Sequence, residues 1–97
     1  MKRNIDIEVE YAFTNKVKEY IDKDYVFNTK TMAGLGHELC RVDLKHGCNF
    51  VRIWLTNVFS SSIGNHVVLK VGGLKMDKGI YETIFTDELE IIEEIEL

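Results

Sequence analysis

Phe50-Val51-Arg52-Ile53-Trp54-Leu55-Thr56-Asn57-Val58-Phe59 is the stretch on which the fold turns. Alternate positions carry Val51, Ile53, Leu55 and Phe59 on one side, and Phe50, Trp54 and Val58 on the other. Both faces of an extended chain are then apolar, which predicts a central strand covered on two sides. Trp54, in the middle of it, belongs to the core. Arg52 must reach a rim or find a partner, because unpaired burial of a guanidinium is costly.

The flanking segments read as its neighbours. Residues 38–45 alternate, with Cys40, Val42 and Leu44 on one face and Arg41, Asp43 and Lys45 on the other. Lys45-His46-Gly47-Cys48 predicts a tight hairpin turn with Gly47 at positive φ. On the far side, residues 60–65 read as a loop. Residues 66–72 return as a strand with Val67, Leu69 and Val71 inward, and Gly72-Gly73 marks a bulge or a close backbone approach. Residues 25–31 are aromatic and β-branched, 32–37 with Gly34 and Gly36 read as a loop, and 80–86 read as a fifth strand.

The two ends differ in period. Ile5, Val9, Ala12, Phe13, Val17, Tyr20 and Ile21 follow a 3.6-residue stripe and predict a helix over 5–22. Asn4 is a suitable N-cap, and Asp6 and Glu8 suit the positive end of the dipole. Ile5 to Phe13 also alternate as a strand would, but the stripe beyond Phe13 fits a helix alone. In 88–97, Leu89, Ile91, Ile95 and Leu97 alternate with Glu88, Glu90, Glu94 and Glu96, so a strand is expected. The competing signals are the helix propensity of Glu and Leu and a capping pair of Asp87 with Glu90. The expected fold is one α+β domain over residues 1–97. Its N-terminal helix packs on an antiparallel sheet of five or six strands, with closure into a small barrel as a variant.

Composition bounds the function. Apolar residues make up 45% of the 97 and charged residues 29%, as in an ordinary globular domain. No run of ~18 apolar residues exists, so no membrane span is expected. Met1-Lys2-Arg3 is not followed by an apolar stretch, so no secretory signal is expected either. Two cysteines and a sufficient core require no disulfide scaffold, and a cytoplasmic setting is expected. The net charge of −4 is unevenly placed. After Thr86 come six acids and no base; the rest has ten acids against twelve Lys and Arg, about +2. Scattered bases on an acidic chain argue against direct nucleic-acid binding.

Several constellations invite chemistry. His37, Cys40, His46 and Cys48 lie within a short stretch, but a strand from 38 to 45 would hold Cys40 and His46 ~20 Å apart. One zinc ion needs its ligands at ~2.0–2.3 Å, so no metal and no cofactor is expected. Cys48 beside His46 suggests a nucleophile pair, yet nothing supplies the oriented base and oxyanion hole that a hydrolase needs. Strand register brings His37 near Thr56 and His66 near Phe59. With Ser61, Ser62 and Asn65 they form a polar rim suited to a small polar or phosphorylated ligand. Gly34-Leu35-Gly36 precedes a strand rather than a helix, so it is no dinucleotide turn.

The remaining expectation is a protein partner. The acidic row Glu88, Glu90, Glu94 and Glu96 and the open sheet edges suit a non-enzymatic protein-binding module, and open edges also suit a homo-oligomer. The abundance of Ile, Lys, Asn and Glu is common in small accessory proteins of low-GC bacteria and their phages. An inhibitor or regulator of a host protein is the corresponding expectation, with a small-ligand binder and a Cys/His hydrolase as alternatives.

Overall fold

The computed structural model describes residues 7–28, 32–33, 38–75 and 83–97. The helical stripe folds as α1, Ile7–Ile21, with Glu8 and Glu10 in its first turn and Lys18 in its last. Each charge opposes that of its dipole end. Val9, Phe13, Val17 and Tyr20 face the sheet, while Asn4, the expected cap, lies outside the described residues. The helix stops at Asp24, whose φ of 72° is left-handed. The amides of Asp24 and Tyr25 donate back to the carbonyls of Ile21 and Tyr20, each at 3.0 Å. The Tyr20 and Tyr25 rings meet edge to face with centroids 5.2 Å apart. This is the hydrogen bonding of a left-handed helix end, built on aspartate where glycine is least strained.

The strands are β1, Val26–Phe27, β2, Met32–Ala33, β3, Glu38–His46, and β4, Asn49–Ser60. They continue as β5, Gly64–Lys75, β6, Thr83–Ile84, and β7, Glu90–Glu96. Five of them make one antiparallel sheet in the order β1-β3-β4-β5-β7, with β4 in the middle as its two apolar faces predict. Gly47 and Cys48 alone separate the paired residues His46 and Asn49. Gly47 takes φ 63°, the first-position glycine of a II′ turn. β1 and β7 end the sheet on opposite sides, so among the described residues it is open and the barrel variant is not formed.

Two expectations are corrected here. The loop expected over 32–37 contains β2, and the strand expected over 80–86, of which 80–82 lie outside the described residues, gives β6 and ends before Thr86, which opens a 3-10 turn over Thr86–Glu88. These short strands pair with each other, in parallel, as a separate two-stranded sheet. Their pairing joins segments far apart in the chain, and local alternation carries no trace of it.

β4 is covered on both sides by different material. Toward α1, Leu44, Val51, Ile53, Leu55, Leu69 and Val71 form a core with Tyr20. On the opposite face Phe50 and Trp54 pack with Ile84, Leu89 and Leu74. Trp54 is 4% exposed, as a core position requires. The cover ends near Leu55, for Phe59 is 71% exposed although its alternation placed it inward. Between the faces, a Cβ on Gly72 would lie 2.8 Å from Leu89 Cβ and 3.2 Å from the Trp54 ring. The glycine pair is thus a close approach, not a strand end, and β5 runs through it.

Candidate functional site at the β7 edge

β7 is the terminal strand of the sheet among the described residues, and its register is broken once. Val71 pairs with Glu93 but Gly72 with Ile91, so Ile92 is an extra residue, a β-bulge. A bulge interrupts the two-residue alternation. Ile92 lies over Gly73, and with Glu90 it borders a groove shared with Val51 and Tyr25 on the helix side. Glu93 also turns to the helix, where its carboxylate accepts from Lys16 Nζ at 2.8 Å. Beyond the bulge, Glu94 and Glu96 face the other way, beside Lys70 and His66. Glu88 sits in the 3-10 turn. The four glutamates expected to project as one row are therefore divided, and Glu94 and Glu96 remain as a pair.

The backbone of that pair faces outward. The Leu97 amide donates to the Val67 carbonyl at 2.9 Å. In an antiparallel ladder alternate residues pair to the same side. Ile95 and Glu93 thus face β5 like Leu97, and Glu94 and Glu96 turn their amides and carbonyls away from it.

Two lysines anchor the strand through ion pairs, and a histidine stands beside it. Lys16, 8% exposed, bonds Glu93 and also Glu19 at 3.1 Å, tying α1 to β7. The hydrogen bond to Glu93 raises the Lys16 pKa above its ordinary 10.5, against the opposing effect of burial. Lys70 Nζ stands 3.7 Å from Glu94 Oε2, an ion pair beyond hydrogen-bond length. His66 Nε2 stands 3.8 Å from Glu96 Oε2. The His66 ring is 8% exposed, and its Nδ1 lies 3.1 Å from the Gly64 carbonyl. Since that carbonyl only accepts, Nδ1 is the donor; in the neutral ring Nε2 is then an acceptor, and it has no hydrogen-bond partner.

The groove beside β7 is small, about 200 Å³ between Tyr25, Val51, Gly73, Leu74, Glu90 and Ile92. Sites for drug-sized molecules run to ~300–1,000 Å³. It suits one side chain better than a whole ligand.

Of the expected polar rim, the structure describes Ser61, Ser62, Asn65 and His66. Ser61 and Ser62 are exposed in the turn between β4 and β5, and Asn65 is exposed just after it. The Ser62 amide donates to Ser60 Oγ at 3.3 Å, and the two hydroxyls lie 3.1 Å apart. These serines bond within their own turn. His66 stands opposite Val58, one residue from the expected place, with its ring beside Glu96. His37 lies outside the described residues. Cys48 is exposed at its turn, Cys40 packs against the helix-side core, and neither is in a disulfide. The His46 ring lies against Tyr25, centroids 5.5 Å apart. Among the described residues no three His, Cys, Asp or Glu converge as ligands of one ion, and no helix is long and apolar enough to cross a membrane.

The pairs Lys16–Glu93 and His66–Glu96 were not legible from the sequence, because each depends on which strand β7 joins and on the bulge. Arg52 did find the partner its position demands. Wholly buried, it bonds Asp43 on β3 and Thr86 Oγ1 at 3.0 Å, and that hydroxyl donates to Glu38 Oε2 at 2.9 Å. Arg41 adds a bond to Asp43 at 2.8 Å. This network fastens the 3-10 turn to the sheet. Comparison of the chain with protein-family models, with curated proteins and with solved structures finds no match in any of the three.

Proposed function

We propose that the chain is a non-enzymatic protein-binding module that receives an extended segment of a partner protein along the free side of β7. The observation that carries this reading is the pair Glu94 and Glu96. Their backbone groups face away from β5 at the end of the sheet, and their carboxylates stand on one face. An edge of this kind is a template for one more strand. Inhibitors and regulators of host proteins, including the phage type, can work by such a contact.

Charge favours a different chain over a second copy. Laid along β7 in either direction, another copy would bring its own outward residues, Glu94 and Glu96, against these two. Like charges directly opposite destabilise a strand pair. Pairing with an unlike, basic segment meets no such opposition.

The experiment is amide hydrogen exchange on the full chain, with and without a nine-residue peptide of alternating valine and threonine or basic residues. Strand addition slows exchange at Glu94 and Glu96 and leaves Ile95, already paired to β5, unchanged. Slowing confined to the Ser60–Gly64 turn instead would transfer the site to the polar rim.

A further inference from the structure

The geometry points to the chemistry of the partner, given the reading of β7 as a pairing edge: we propose that the segment carries basic residues at alternate positions with an apolar residue between them, and that an arginine opposite Glu96 is shared between its carboxylate and His66. Residues directly opposite on an added strand lie ~4.5–5.5 Å from Glu94 and Glu96 and project on the same face. That face already holds Lys70 and His66, not α1. The residue between them projects to the helix side, beside Ile95, which packs against the core. The pattern is therefore basic, apolar, basic.

His66 sharpens the choice to arginine at one place. Its Nε2 is buried without a hydrogen-bond partner, 3.8 Å from an acceptor, Glu96 Oε2. With the imidazole neutral, two lone-pair atoms face each other and nothing lies between to satisfy them. A guanidinium presents several N–H donors in a planar fork and can bond both atoms at once; an ammonium is a point charge and does so less well. The Glu96 side chain is 65% exposed, so it can swing outward to admit the fork. Glu94 keeps acceptor capacity too, since Lys70 stands beyond hydrogen-bond length.

Three nine-residue peptides test this against the intact chain, alternating valine with arginine, lysine or threonine. Affinity is read from chemical-shift titration at low salt and again at 0.5 M. The arginine peptide should bind roughly tenfold more tightly than the threonine peptide, with lysine between them. The gap should close at high salt, where screening falls to a few ångströms. Glu94→Gln with Glu96→Gln should abolish the gap at low salt as well. His66→Phe should bring the arginine peptide down to the lysine peptide, and its melting temperature shows whether the variant is folded. If threonine and arginine peptides bind equally and both protect Glu94 and Glu96, the charge rule is overturned while the edge reading stands. If no peptide protects those amides at millimolar concentration, the edge reading itself fails. Equal arginine and lysine affinities in the unmodified chain would remove His66 from the site.

Discussion

Arg52 and Asp43 stand directly opposite each other on β4 and β3 and share two hydrogen bonds, Nε to Oδ1 at 2.8 Å and Nη2 to Oδ2 at 3.1 Å. Both are buried, so each is the other's main compensation for lost hydration. Asp43→Ala should therefore cost about 3–5 kcal/mol in denaturant titration, because it strands a buried guanidinium. Replacing both residues by leucine should cost clearly less than the two single changes added together. A cycle in which the effects simply add would show that the pair is not coupled.

Asp24 holds a left-handed φ of 72° at the end of α1. Nothing but the turn requires it, since the bonds closing the helix are made by backbone amides. Asp24→Gly should stabilise the chain by about 1 kcal/mol, and a β-branched residue there should destabilise it. The measurement is the shift in denaturation midpoint. An unchanged or lower midpoint for the glycine variant means that the aspartate side chain contributes more than its backbone strain costs.

Gly72 and Gly73 differ in what a methyl group would meet. At Gly72 the nearest atom is Leu89 Cβ at 2.8 Å, close to the backbone, with the Trp54 ring behind it at 3.2 Å. At Gly73 the nearest is Ile92 Cδ1, also at 2.8 Å, the far end of a flexible and exposed side chain. Gly72→Ala should cost about 1–3 kcal/mol by overpacking, and Gly73→Ala much less. Thermal unfolding of the two variants side by side separates the outcomes, and equal losses would contradict this ranking.

Lys16 titrates above its ordinary value of 10.5 because the charged form bonds Glu93. A raised basic group stabilises the fold fully below its unfolded value and loses that contribution as pH climbs through the folded one. The pair thus contributes at neutral pH and weakens in the alkaline range above about 10.5. Tyr20, raised mainly by burial, adds a loss in the same direction starting from 10.0. Lys16→Met should lower stability at pH 7 and flatten the alkaline decline without abolishing it, since Tyr20 remains. Parallel curves of stability against pH for the two proteins would mean that Lys16 takes no part in the decline.

What the sequence made legible is what depends on near neighbours. The stripe from Val9 to Tyr20 sets the face of α1, the two-sided apolar run marks β4 as central, and Gly47 sets a two-residue turn. Arg52 announced a partner without naming it; Asp43 became that partner through the β3–β4 register. Illegible were features made by distant pairing. β2 and β6 are two residues each and meet in parallel, so neither shows a pattern of its own. The bulge at Ile92 lies inside a segment whose regular alternation argued for an unbroken strand. That one residue divided the expected glutamate row, keeping Glu94 and Glu96 as a pair while Glu90 turned to the groove.

The same bulge bears on what the edge offers to further copies of itself. Glu-Ile-Ile-Glu-Glu-Ile-Glu, left as a straight terminal strand, would offer seven successive positions to passing chains. Fibres propagate along flat, unbroken ladders in which each layer presents the next with an identical edge. At Ile92 the strand bends and twists, leaving Glu93–Glu96 as the regular part. A layer docked there would inherit the same short, negatively charged step and repel the one after it. On the proposed reading, the strand accepts one oppositely charged guest while terminating stacking of its own kind.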